Sequence, residues 1–78
     1  AAVKQVEDIT YLKETIGFEN LPEGLVEAAL ARLANPDLTL KELGAVVNPP
    51  VGKSGINHRL RKLSELADKV RQEQGGLL

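Results

Sequence analysis

Cysteine, methionine and tryptophan are absent from these 78 residues, and histidine, phenylalanine and tyrosine occur once each. Without cysteine there are no disulfides, thiol nucleophiles or redox motifs, and with a single His the usual zinc sites go as well. No apolar run is longer than Ala28 to Ala31, far short of the ~20 residues that cross a bilayer, and no charged-then-apolar signal segment opens the chain. A cytoplasmic protein with no membrane partner is expected. No Met precedes Ala1, which fits either Met removal or a piece of a longer protein. With so few aromatics the core has to be built from Leu, Val, Ile and Ala, a composition that favours helices. A chain of this length holds one small core and no second one, which excludes a two-domain enzyme. Such a core supplies only ~3–5 kcal/mol, so modest stability is expected.

Acidic and basic residues nearly balance at a net charge of -1, but they are not mixed. Residues 1–47 hold four basic side chains against eight acidic ones, whereas residues 48–64 hold Lys53, Arg59, Arg61 and Lys62 and no acid at all. One basic patch therefore stands on an acidic body, and acids would not be missing from 17 consecutive residues if the patch were only a solvated surface.

Hydrophobic spacing predicts four helices and no strand. Val3, Val6, Ile9, Leu12 and Ile16 recur at steps of three and four, giving a first helix from Ala2 to Ile16 that ends at Gly17. Phe18 to Leu21 reads as a connection, with Pro22 in the first turn of the next helix and Glu23 complementing its dipole. That second helix runs to about Ala34, with Leu25, Val26, Ala29, Leu30 and Leu33 as its apolar stripe, and Asn35-Pro36-Asp37 stops it. Thr39-Leu-Lys-Glu42 has the spacing of a capping box and starts a two-turn third helix, about 39–47, which Asn48-Pro49-Pro50 ends. Gly52 is then the N-cap of the longest helix, about 53–74, with Val51 and Ile56 placed as a hydrophobic staple. Its stripe is Ile56, Leu60, Leu63, Ala67 and Val70, and nothing breaks the pattern before Gly75-Gly76. The expected fold is all-α, a small four-helix domain: residues 1–19 form an N-terminal helix and connection, and residues 20–78 a helix-turn-helix domain.

A two-turn helix, a tight bend and a second helix with a basic face is the layout of a helix-turn-helix, in which the second helix enters the major groove of duplex DNA. The two helices cross closely, and Gly44 supplies a position without a side chain for that crossing. At about 100° per residue, Lys53, Asn57, Arg61, Ser54 and His58 fall within about 140° of one another, opposite the apolar stripe. Lys and Arg pair with guanine, Asn with adenine, and Ser or His with several groups, so Lys53, Ser54, Asn57, His58 and Arg61 are the candidate base-reading residues. Arg59 and Lys62 lie to the sides and suit phosphates. Thr39 and Lys41, at the start of the third helix, suit a second phosphate through its free amides.

Other readings fit less well. A lone His with no second His or Cys is no metal site, and no Ser-His-acid arrangement is visible, so no catalytic residue, metal, cofactor or small-molecule substrate is expected. Gly52-Lys53-Ser54 mimics the end of a phosphate-binding loop, but the Gly required five positions earlier is Val47, and no strand precedes it. The long helix's stripe spans barely two heptads, too short for a coiled coil while three helices need a partner. The alternative function is a protein-interaction module that docks its basic helix on an acidic partner surface. RNA binding ranks below both, because aromatics that stack unpaired bases are nearly absent.

The stretch ARLANPDLTLKELGAVVNPPVGKSGINHRLRKLSELAD, above all PPVGKSGINHRLRKL, resembles the C-terminal DNA-binding domain of the WhiA family of bacterial sporulation and cell-division transcription regulators, over about residues 20–70. The resemblance implies a helix-turn-helix similar to region 4 of sigma factors, preceded in the full protein by a domain related to LAGLIDADG homing endonucleases that has lost catalysis and is absent from this chain. It implies promoter binding with a sigma factor or RNA polymerase, a nucleoid-associated location, and contacts by Lys53, Ser54, Asn57, His58, Arg59 and Arg61. Many members have Ser where this chain has Gly52. That exchange removes a possible phosphate contact but only a few tenths of a kcal/mol of helix capping.

Overall fold

The computed structural model describes residues 3–75, with helices α1 (Val3–Thr15), α2 (Glu23–Ala34), α3 (Leu40–Val46) and α4 (Lys53–Gly75), and a 3-10 turn at Phe18–Asn20. No strand occurs among the described residues. Ala2 and Gly76, named above as helix limits, lie outside them. Pro22 stands one residue before the helix it introduces, in extended geometry as its N-cap, and its carbonyl accepts from Leu25 and Val26. Gly17 does leave α1 with a positive φ of 77°, a backbone state glycine adopts without strain.

α4 is the axis of the fold. Its stripe Ile56, Leu60, Leu63, Ala67 and Val70 is buried, and α1, α2 and α3 each pack against it. α1 contributes Ile9 and Leu12, α2 contributes Ala28 and Ala29, α3 contributes Leu43, and the connections add Leu21 and Val47. The core is wholly aliphatic, as so few aromatics require.

Most of the stripes expected for α1 and α2 is buried or packed on the core, with one apolar residue of each left exposed. In α2, Leu30 is 52% exposed, and the inward residues are Leu25, Val26, Ala28, Ala29, Arg32 and Leu33. In α1, Val3 is 63% exposed while Asp8 is buried beside Ile9 and Leu12. In each helix a charged residue also lies among the buried ones and carries its own partners with it. Arg32, only 3% exposed, turns back on the end of its helix. One terminal nitrogen donates to the carbonyls of Asn35 and Pro36 at 3.3 Å each and of Leu38 at 2.8 Å, all three in the connection that follows the helix. Burial pulls the guanidinium below its ordinary pKa.

Asp8 ties α1 to the far half of α4. Its carboxylate accepts from Lys4 at 2.9 Å and from Arg71 at 2.7 Å, and Arg71 also bonds Asp68 at 3.2 Å and lies 4.6 Å from the centre of the Tyr11 ring. Burial alone would raise the Asp8 pKa, but hydrogen bonds from Lys4, Arg71 and Ser64 outweigh it and hold the carboxyl below its ordinary value.

The bend between α3 and α4 is set by backbone contact. Thr39 and Glu42 form the expected capping box, with bonds of 3.2 and 3.0 Å. Glu42 is lowered in pKa by the Thr39 amide it accepts from. The chain then turns through Asn48-Pro49, a cis peptide, and the Val51 amide donates to the Gly44 carbonyl at 2.9 Å. A Cβ on Gly44 would fall inside the contact radius of the Val51 carbonyl oxygen. The close neighbour that excludes a side chain at Gly44 is therefore the backbone of the bend, not a residue of the crossing helix.

Gly44→Ala should destabilise the domain by about 2 kcal/mol or more, because overpacking against backbone outweighs the ~1 kcal/mol that Ala normally gains over Gly in a helix. Gly55→Ala, whose Cβ would meet only the Val51 side chain at 3.5 Å, should instead stabilise by about 0.5–1 kcal/mol. Urea denaturation of both variants checks the contrast. A carboxyl whose folded pKa lies below its unfolded one contributes fully above about pH 4 and loses that contribution as pH falls through the folded value. Asp8→Asn should therefore cost about 2 kcal/mol at pH 7, and its difference from wild type should shrink as pH falls below about 4.

Candidate nucleic-acid interface

α4 begins at Lys53, with the Gly52 carbonyl accepting from the Ile56 amide at 3.0 Å. Val51 lies against the core just before the helix and Ile56 is buried just inside it. Apolar groups thus flank the N-cap, and they fix which side of the first turns faces outward. Lys53, Ser54, His58 and Arg61 are exposed and Asn57 is half-buried. The five stand together opposite the buried stripe, along nine residues of α4 that span about 12 Å at 1.5 Å per residue, close to the ~12 Å width of a major groove.

The face has a sharp end. At 100° per residue Glu65 and Asp68 continue the row of Asn57 and Arg61, so the side that is basic for three turns becomes acidic one turn later. Asp68 lies 4.0 Å from Lys4 and Glu65 lies 3.8 Å from Lys62. Lys62 is exposed at the side of the face, and an exposed pair of that length is worth little. It leaves the amine free to exchange partners.

Arg59 behaves differently from its neighbours. It is half-buried, and its guanidinium carbon lies 3.8 Å from where a Cβ on Gly24 would stand, so the head rests on the first turn of α2. One terminal nitrogen is buried with no hydrogen-bond partner. Thr39 and Lys41 are exposed at the start of α3, but the amides of Thr39 and Glu42 are already taken within the capping box. Their use by an outside phosphate would require breaking it. Gln5 lines both the hollow at Thr39 and Leu40 and the one at Arg61 and Ser64, so the first turn of α1 stands between the start of α3 and the lower end of the basic face.

Spacing gave no sign of the anchors Asp8, Arg71 and Arg32. The available signal was a charged residue at an inward position of an otherwise apolar stripe. No group of three or more His, Asp or Glu among the described residues could hold a metal ion, and none of their helices is long and apolar enough to cross a membrane.

Residues 1–67 match the WhiA C-terminal HTH domain. The chain belongs to the WhiA family. The match takes in α1 as well as the 20–70 segment that carries the visible motif. A probable cell division protein WhiA from Lachnoclostridium phytofermentans is 58% identical over 72 residues, covering 92% of this chain and 23% of the relative. Its counterpart from Carboxydothermus hydrogenoformans is 59% identical over 70 residues, covering 90% and 22%. The crystal structure of full-length DUF199/WhiA from Thermatoga maritima superposes with a TM-score of 0.80 at 40% identity, covering 86% of this chain and 23% of that one. The chain thus spans about a quarter of the length of these WhiA proteins.

Replacing Arg59 by Met keeps the stem on α2 and removes a buried donor that has no partner. Thermal unfolding of Arg59→Met should stay within about 0.5 kcal/mol of wild type or rise, as expected when an unsatisfied polar group is exchanged for an apolar one.

Proposed function

We propose that this WhiA domain binds double-stranded DNA in a sequence-specific way, inserting the first half of α4 into the major groove. The observation that carries the reading is the solvent-facing side of α4, acid-free over its first three turns and held outward because the opposite side is buried. Lys53, Ser54, Asn57, His58 and Arg61 read base edges, and Lys62 and Lys41 hold phosphate strands on either flank. The Thr39 hydroxyl, which accepts from Glu42, still has its own hydrogen to donate to a phosphate. Arg59 reaches phosphate by swinging away from α2, a move that gives its unpartnered nitrogen an acceptor. Glu65 and Asp68 repel the backbone and end the footprint.

Within the longer protein this module acts in transcription regulation at promoters, together with a sigma factor or RNA polymerase, and thereby resides at the nucleoid. A single module of this kind buries only about 600–1,000 Å², so the isolated domain binds at roughly micromolar affinity in low salt and needs further contacts to discriminate well.

With four or five phosphates neutralised, affinity for a promoter-like duplex should fall about a hundredfold or more between ~50 and ~200 mM salt. Fluorescence anisotropy of a labelled duplex reads this directly; absence of binding at the lower salt would reject the proposal in favour of an acidic protein partner. Arg61→Ala should narrow the gap between specific and random duplexes, whereas Lys62→Ala should weaken both alike and reduce the salt slope by about one.

A further inference from the structure

Four of the five residues on the outward face of α4, Lys53, Ser54, His58 and Arg61, are exposed, whereas Asn57 is half-buried. It stands four residues from Lys53 and four from Arg61, on one row of the helix and in the middle of the face. Its carboxamide makes no hydrogen bond to any described residue, and neither of its polar atoms is sealed from solvent. The stem is thus partly enclosed while the amide stays open, with donor and acceptor both unused.

These properties set Asn57 apart from its neighbours as a reader of sequence. Lys53 and Arg61 end in charges attracted to every phosphate within reach, and their long stems give up much rotamer freedom to hold one guanine. The Ser54 hydroxyl turns to donate or accept, and His58 suits several groups, so neither commits to one base. An amide on a short stem whose motion is already restricted loses less on docking. It also has a fixed pattern, one side donating and the other accepting. In the major groove only adenine offers the matching pair on a single base, N7 to accept and the N6 amine to donate. Opposite any other base one side of the amide goes unmet in a space that water has left, and an unmet polar group is penalised more than a contact that is merely absent.

We propose that Asn57 is the main determinant of sequence specificity in this domain, taking N7 and N6 of one adenine near the middle of the site. Lys53 and Arg61 stand about 6 Å to either side along the helix, close to two base-pair steps, and adjust preference at the flanking pairs. The inference deepens the DNA-binding reading above and rests on it.

The test is selection at low salt from a duplex library randomised over ~10 base pairs, one turn of DNA, by wild type, Asn57→Ala and Asn57→Asp, with thermal unfolding as the check that each variant is folded. Wild type is expected to enrich one adenine more strongly than any other base. Asn57→Ala should lose that preference and keep its affinity for random duplexes. Asn57→Asp, which can only accept, should shift the preference at that position from adenine to cytosine, whose N4 amine donates. In the site that wild type selects, 7-deazaadenine, which lacks the N7 acceptor, should weaken wild type about tenfold and leave Asn57→Ala unaffected. If wild type enriches no sequence, the reading of α4 as a sequence-specific DNA-binding helix fails and this inference with it. If Asn57→Ala enriches the same site as wild type, or 7-deazaadenine weakens both proteins alike, this inference alone is overturned.

Discussion

No side chain can stand at residue 44, and the geometry of the domain follows from that vacancy. The Val51 carbonyl occupies the space a Cβ would need, and the Val51 amide returns a bond to the Gly44 carbonyl. α3 and the start of α4 are thereby fastened backbone to backbone, which sets the direction in which α4 leaves the bend. A contact between main chains has no rotamers to repack, so the approach of the two helices is fixed more tightly than an aliphatic core would fix it. The outward display of the basic residues depends on that direction.

α4 divides its 23 residues between two tasks. Along its whole length one side fills the core. The other side is free and basic over the first three turns, then acidic and tied to α1 through Asp8, Arg71, Asp68 and Lys4. This arrangement keeps the charges that hold the domain together away from those that face outward. Arg61 itself makes none of the bonds to Asp8, whose partners on α4, Ser64 and Arg71, lie further along the helix.

Much of this was legible in the sequence, for identifiable reasons. Helix limits fell where Gly17, Asn35-Pro36 and Asn48-Pro49-Pro50 interrupt the pattern, and the Thr39–Glu42 box and the α4 stripe appeared as read. The face of α4 was legible because its charges are excluded from one side and concentrated on the other within a single helix. The inward faces of α1 and α2 were legible in most of their apolar residues but not in Asp8 and Arg32, which periodicity treats as interruptions. Those charges are buried because partners distant in sequence, or carbonyls beyond the helix end, satisfy them. Arg59 was ambiguous for a geometric reason: it projects between the core side and the open side, where the neighbouring helix decides its course.

The guanidinium of Arg71 over the ring of Tyr11 has one practical corollary. Tyr11 is the only tyrosine in a chain without tryptophan, so nearly all near-ultraviolet absorption and emission comes from one ring at the junction of the first and last helices. Its circular dichroism and emission therefore report on that junction alone, and they would reveal α1 lifting from the bundle while the other three helices stay folded.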